Sequence, residues 1–134
     1  MSAPYETITE GVVIRVTPTY RPQESDPVAG RWFWAYTVEV ENRSPHTVQL
    51  LTRHWRITDA HGARQTVDGD GVVGKQPVLR TGDVFRYTSG CPLAAPSGMM
   101  GGRYGMVEVE TGRAFTVDIP TFALDSPGGL GLAN

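Results

Sequence analysis

From Arg31 to Glu41 the chain alternates. Trp32, Trp34, Tyr36, Val38 and Val40 hold one phase, and Arg31, Phe33, Ala35, Thr37, Glu39 and Glu41 the other. This alternation predicts a strand with one buried face and one mostly polar face. Asn42-Arg43-Ser44-Pro45 predicts a turn. In the next strand Val48 and Leu50 share one phase, and Leu51, Arg53, Trp55 and Ile57 the other. The change of phase between Leu50 and Leu51 predicts a bulge, or a strand leaving one sheet for another. Asp59-Ala60-His61-Gly62 predicts a hairpin turn into Ala63–Val67.

The same reading predicts a first strand over Ile8–Thr17, with Val12, Ile14 and Val16 on one face. Tyr20–Gly30, rich in proline, acids and amides, predicts a mobile loop. Further strands are predicted at Asp83–Ser89, Gly102–Glu110 and Ala114–Ile119, the last two joined by a tight turn at Thr111-Gly112. No ten-residue stretch carries a helical period. About seven short strands predict an all-β fold, an antiparallel β-sandwich.

Composition narrows the picture. The 134 residues suffice for one domain with a real core, and 16 glycines with 10 prolines suit short strands joined by turns. The expected domain covers 1–127, followed by a disordered glycine-rich tail at 128–134. A net charge of −2 without any Lys/Arg run gives no basic face for nucleic acid. No segment approaches the roughly 20 apolar residues of a membrane helix, so no membrane insertion is expected. The first ten residues lack the basic and apolar regions of a signal peptide. Cys91 is the sole cysteine, which precludes an intrachain disulfide and fits a reducing cytoplasm.

One stretch imitates phosphate-binding motifs. Gly69-Asp70-Gly71-Val72-Val73-Gly74-Lys75-Gln76-Pro77 reads both as G-x-G-x-x-G and as G-x-x-x-x-G-K. Both chemistries need a helix to begin there, so that its free N–H groups face the phosphate. Pro77 biases Gln76 toward extended backbone and removes a donor, and Gln76 stands where a P-loop needs Ser or Thr. The plain reading is a connection between sheets, its glycines serving tight geometry. The alternative is an anion-binding nest of backbone N–H groups built on Gly69, Gly71 and Gly74 and helped by Lys75, against repulsion from Asp68 and Asp70.

Ordered blocks along the chain resemble the ApaG family. They are Tyr36-Thr37-Val38 with Glu41-Asn42; Val48-Gln49-Leu50-Leu51-Thr52-Arg53-His54-Trp55 with Ile57-Thr58-Asp59; and Gly69–Pro77. Tyr87-Thr88-Ser89-Gly90-Cys91-Pro92-Leu93 follows, then Met100–Met106 with Tyr104, and Phe115-Thr116-Val117-Asp118-Ile119-Pro120 with Phe122 and Leu124. The resemblance spans roughly Glu6 to Pro127. It implies a fibronectin type III-like, immunoglobulin-like sandwich of two antiparallel sheets. It also implies a small cytoplasmic protein associated with cobalt resistance and magnesium efflux, often encoded beside a diadenosine tetraphosphate hydrolase. In eukaryotic relatives such domains are read as protein-binding. The family has no established catalytic residues to carry over.

The remaining candidates divide between packing and contact. Trp55 shares phase with Leu51 and Ile57 and reads as core, which turns His54 to the other face as a hydrogen-bonded histidine or a metal ligand. His46, His54, His61, Cys91 and the acids show no metal-ligand spacing, and no metal or other cofactor is expected. Cys91 reads as a small packing residue rather than an activated thiol. Phe33, out of phase with its aromatic neighbours, and Met99 and Met100 in a glycine-rich approach are candidate partner contacts with His54. The sequence thus points to a non-enzymatic module that binds a protein partner through an edge strand or an apolar patch, with free edges also open to a homodimer. The alternatives are a nucleotide or pyrophosphate binder using the glycine loop, and a soluble divalent-metal accessory protein.

Overall fold

In a computed structural model, which describes residues 3–127, the period-two stretches become nine strands. They are β1 (Tyr5–Thr9), β2 (Val12–Tyr20), β3 (Trp32–Asn42), β4 (Val48–Asp59) and β5 (Arg64–Asp70). β6 (Val78–Leu79), β7 (Val84–Leu93), β8 (Ser97–Glu108) and β9 (Ala114–Asp125) follow. One sheet has the order β1-β2-β3-β7. The other runs β5-β4-β8-β9, with β6 also paired to β4. All pairings are antiparallel, and the two sheets face each other as the expected sandwich.

The strand predicted over Ile8–Thr17 is in fact two strands. Glu10 and Gly11 both take positive φ, 49° and 79°, and reverse the chain between Thr9 and Val12. A two-residue turn of this kind matches the twist of its strands. It also flips the facing of the alternation: Thr9 pairs with Val12 on one face, while Ile8, which continues the Val12-Ile14-Val16 phase in the sequence, lies on the other and is exposed. The predicted loop at Tyr20–Gly30 is tied down by two 3-10 turns, Pro22–Glu24 and Pro27–Ala29. Ser25 Oγ donates to the Arg21 carbonyl (2.8 Å) and accepts from the Phe33 N–H (2.9 Å), folding the segment back on β3. The glycine-rich tail expected at 128–134 lies outside the described residues.

The phase change in β4 is a bulge. Its register against β8 shifts between Leu50 and Thr52, so Val48 and Leu50 face inward before it and Arg53, Trp55 and Ile57 after it. The core layer between the sheets holds Trp34, Tyr36, Trp55, Tyr104 and Phe122. Tyr36 and Trp55 meet edge to face at 5.3 Å, and Phe122 closes on Trp55 at 6.0 Å. Burial of each large side chain contributes about 1.5–3 kcal/mol, and the edge-to-face pairs about 0.5–1.5 kcal/mol more. Asn42, read as part of a turn, is wholly buried at the end of β3. Its amide donates to the His46 and Leu79 carbonyls, and its oxygen accepts from the Ser44 N–H and Oγ.

The two long edges of the sandwich differ. On one, β1 is stitched to β9: Thr7 Oγ1 donates to the Asp118 carbonyl (2.6 Å), and the Asp118 N–H donates to Thr9 Oγ1 (3.2 Å). The other edge is formed by β5 and β7, with no comparable stitching between them among the described residues.

Candidate functional site: a cleft at the open edge

Between the edges of β5 and β7 the sheets part. Two adjoining recesses, of about 230 and 200 Å³, share Tyr36, Arg53, Trp55 and Ser89 as lining. Each wall follows from strand phase. Tyr36 and Trp55 face inward, Ser89 pairs with Tyr36 across β3 and β7, and Val67 pairs with Trp55 across β5 and β4. One recess is walled by Trp55, Ile57, Val67, Cys91, Pro92 and Met100. The other ends in Ser89, Tyr87 and the tip of the glycine loop at Val72, Val73 and Gly74.

Arg53 sits where the recesses meet, and it faces inward because the bulge changes the phase of β4. Its Nη1 donates to the carbonyls of Asp70 and Gly71, both at 2.9 Å. Neither Nε nor Nη2 has a partner among the described residues, and no carboxylate there lies within ion-pair distance of it. Every fully enclosed side-chain polar atom among the described residues is hydrogen-bonded, so the unclaimed donors of Arg53, whose side chain lines both recesses, are not fully enclosed.

The floor around Arg53 is electrically neutral. Burial raises the pKa of the Tyr36, Tyr87 and Tyr104 hydroxyls, and those of Tyr87 and Tyr104 hydrogen-bond across the two sheets. Burial also pushes the Cys91 thiol up to about 11, so near neutral pH it is a protonated packing group and not a nucleophile.

The glycine loop holds this arrangement together. β5 and β6 both pair with β4, so Gly71–Pro77 is an excursion along one sheet edge and not the expected passage between sheets. The bulged Leu51 carbonyl accepts from the Gly71 N–H (2.7 Å) and from Gln76 Nε2 (2.9 Å). Val72 and Lys75 exchange both backbone hydrogen bonds around a two-residue turn in which Val73 and Gly74 take positive φ, 44° and 78°. The N–H groups of Gly71, Val72 and Lys75 are thus occupied within the protein. No helix starts here, and the Lys75 side chain is exposed. A methyl group on Gly69 would stand 2.6 Å from Arg53 Nη2.

The candidate contact residues Phe33, His54, Met99 and Met100 do not form one surface. Phe33 is half-buried on the outer face of its sheet, its ring lying over Gly90. His54 and Met99 lie on the outer face of the other sheet, where His54 Nδ1 meets Asp68 Oδ1 at 2.6 Å. Met100 is a correction: it is 2% exposed and belongs to the core, because β8 starts at Ser97 and continues the alternation through the predicted glycine-rich approach. Among the described residues no group of three His, Cys, Asp or Glu side chains is placed to hold a metal ion, and no helix is long and apolar enough to cross a membrane. Sequence reasoning put Arg53 in phase with Trp55 but did not weigh it as a site residue. An arginine in a core phase was the available signal.

Comparison with known proteins agrees with the fold. Residues 22–108 match the ApaG domain family. Protein ApaG of Beijerinckia indica is 54% identical over 92% of this chain and 94% of its own length. Protein ApaG of Rhodospirillum centenum is also 54% identical, over 93% of this chain and 95% of its own. The crystal structure of an ApaA protein from Bordetella pertussis superposes with a TM-score of 0.84 at 43% identity, covering 94% of this chain and 98% of the other.

Proposed function

The chain belongs to the ApaG domain family, and from that premise we propose that it is a non-enzymatic binding module that receives a segment of a partner protein in the β5/β7 cleft. One observation carries this reading: the sandwich is stitched at β1/β9 and parted at β5/β7, where an arginine with unclaimed donors lies between apolar walls. Concave sites that combine apolar lining with a few directed polar groups are the usual form of a ligand site. The neutral thiol and tyrosines supply no activated nucleophile or general base, which supports binding over catalysis. In this reading the protein works in the cytoplasm, and any influence on cobalt or magnesium handling passes through the partner.

A photocrosslinking side chain at Val67, half-exposed on the cleft wall, tests the proposal in cells. The same group at Val109, exposed and outside the cleft, is the control. A discrete adduct from position 67 and none from 109 is the expected result. Equal labelling from both positions, or none from 67, overturns it.

A further inference from the structure

We infer that the ligand group recognised in the cleft is a carboxylate attached to an apolar body, with the carboxylate seated on Arg53 and the body against Trp55, Ile57 and Val67. This rests on the binding-module reading and adds the chemistry of the ligand. A guanidinium presents donors in a fixed planar fork that matches the two oxygens of a carboxylate. In Arg53 one nitrogen is already anchored by the Asp70 and Gly71 carbonyls, so the fork is oriented, and its Nε and Nη2 side remains open. An anchored fork loses less freedom when it binds than a mobile one.

Charge favours a carboxylate over a phosphate. Among the described residues Arg53 is the only cationic side chain lining the two recesses, and the rest of that lining is neutral. Lys75 is exposed on the loop, and Asp68, paired with His54, belongs to the outer face of the same sheet. One cation balances one carboxylate, whereas a pyrophosphate would bring several charges to a single guanidinium. The Ser89 hydroxyl adds a neutral hydrogen-bonding group at the same end. The apolar walls next to Arg53 supply the rest of the interaction, so a bare anion such as acetate gains little from them.

Such a group can come from a peptide or from a free organic acid, and the test separates the two. Calorimetry and NMR on the full chain would use 4-phenylbutyrate and its amide. A capped peptide carrying Leu-Glu, its Leu-Gln counterpart, acetate and inorganic pyrophosphate complete the set. The acids should bind about tenfold or more tightly than their amide counterparts, shifting the Arg53 Nε–H and Trp55 indole signals. Arg53→Gln should abolish that preference. Arg56→Gln, an equal loss of charge on the exposed outer face of β4, serves as the comparison and should keep the preference, and thermal melts report the fold of each variant. Tighter binding of the peptide identifies a protein segment as the source of the carboxylate, and tighter binding of phenylbutyrate a small acid. Equal binding of acid and amide, tighter binding of pyrophosphate, or an acid preference that survives Arg53→Gln overturns the inference. The Val67 crosslink is read independently: an adduct without acid preference leaves the binding module standing, and no adduct with intact acid preference removes the protein partner alone.

Discussion

Arg53 lies flat across Gly69. A β-carbon at residue 69 would stand 2.6 Å from Nη2 and 2.7 Å from Cζ, so the guanidinium occupies the space that any larger side chain there would need. Gly69→Ala therefore displaces the far end of a flexible side chain and leaves the backbone in place. Stability should fall by no more than about 1 kcal/mol, while the anchored orientation of Arg53 is lost. The expected outcome is a small drop in melting temperature together with a clear loss of affinity for 4-phenylbutyrate. Unchanged affinity would show that the anchoring of Arg53 is not what the ligand reads.

Val73 is a β-branched residue at φ 44°, followed by Gly74 at φ 78°. Both positions of the turn need left-handed backbone, which favours Asn-Gly over Val-Gly. Val73 is exposed, so little packing is lost on replacing it. Val73→Asn should stabilise the protein by about 1 kcal/mol, read as a higher urea midpoint with an unchanged slope.

Asn42 is hydrogen-bonded on both sides of its amide while wholly buried. Asn42→Asp keeps the shape but removes the donors to the His46 and Leu79 carbonyls. The cost should be about 2–5 kcal/mol, large against the usual 5–15 kcal/mol of a folded domain. Chemical denaturation at neutral pH measures it. A loss within the range of ordinary surface substitutions would mean that Asn42 is not the hub it looks to be.

Cys91 gives the pH dependence its sign. Burial raises the thiol from its ordinary 9.0 to about 11. The folded protein therefore holds this proton more tightly than the unfolded chain, so the stabilisation is complete below pH 9 and is lost as pH rises through about 11. The raised hydroxyls of Tyr36, Tyr87 and Tyr104 act in the same direction. Melting temperature should decline above pH 9, and less steeply in Cys91→Ala. A thiol reagent at pH 8 should label Cys91 far more slowly than a free thiol, because the group is protonated and 2% exposed.

Most of the fold could be read from the chain. Trp34 through Val40 kept its alternation because one face is core and the other is not, and the phase break at Leu50-Leu51 is the bulge itself. Alternation did not reveal the Glu10-Gly11 reversal, because Ile8 continues the apolar phase of Val12 in the sequence although the turn places it, exposed, on the opposite face. Nor could it show that Asn42 goes inward, since a buried hub and a solvated turn both use asparagine. Gly69–Pro77 carried the local signal of a phosphate loop, but no helix begins there. Its glycines, its glutamine and its carbonyls serve a bulge and an arginine on another strand, and such long-range partners leave no mark on local spacing.

The stitches at Asp118 make one long edge of the sandwich a spine, while β5 and β7 share no hydrogen bond among the described residues and the Tyr87–Tyr104 pair bridges the sheets there. How far β5 and β7 stand apart therefore follows the volume of the side chains packed between them. Exchanging a wall residue such as Val67 for a smaller or larger one resizes the opening without breaking a ladder hydrogen bond, so the gap can be retuned for a new guest while the binding of the pages stays whole.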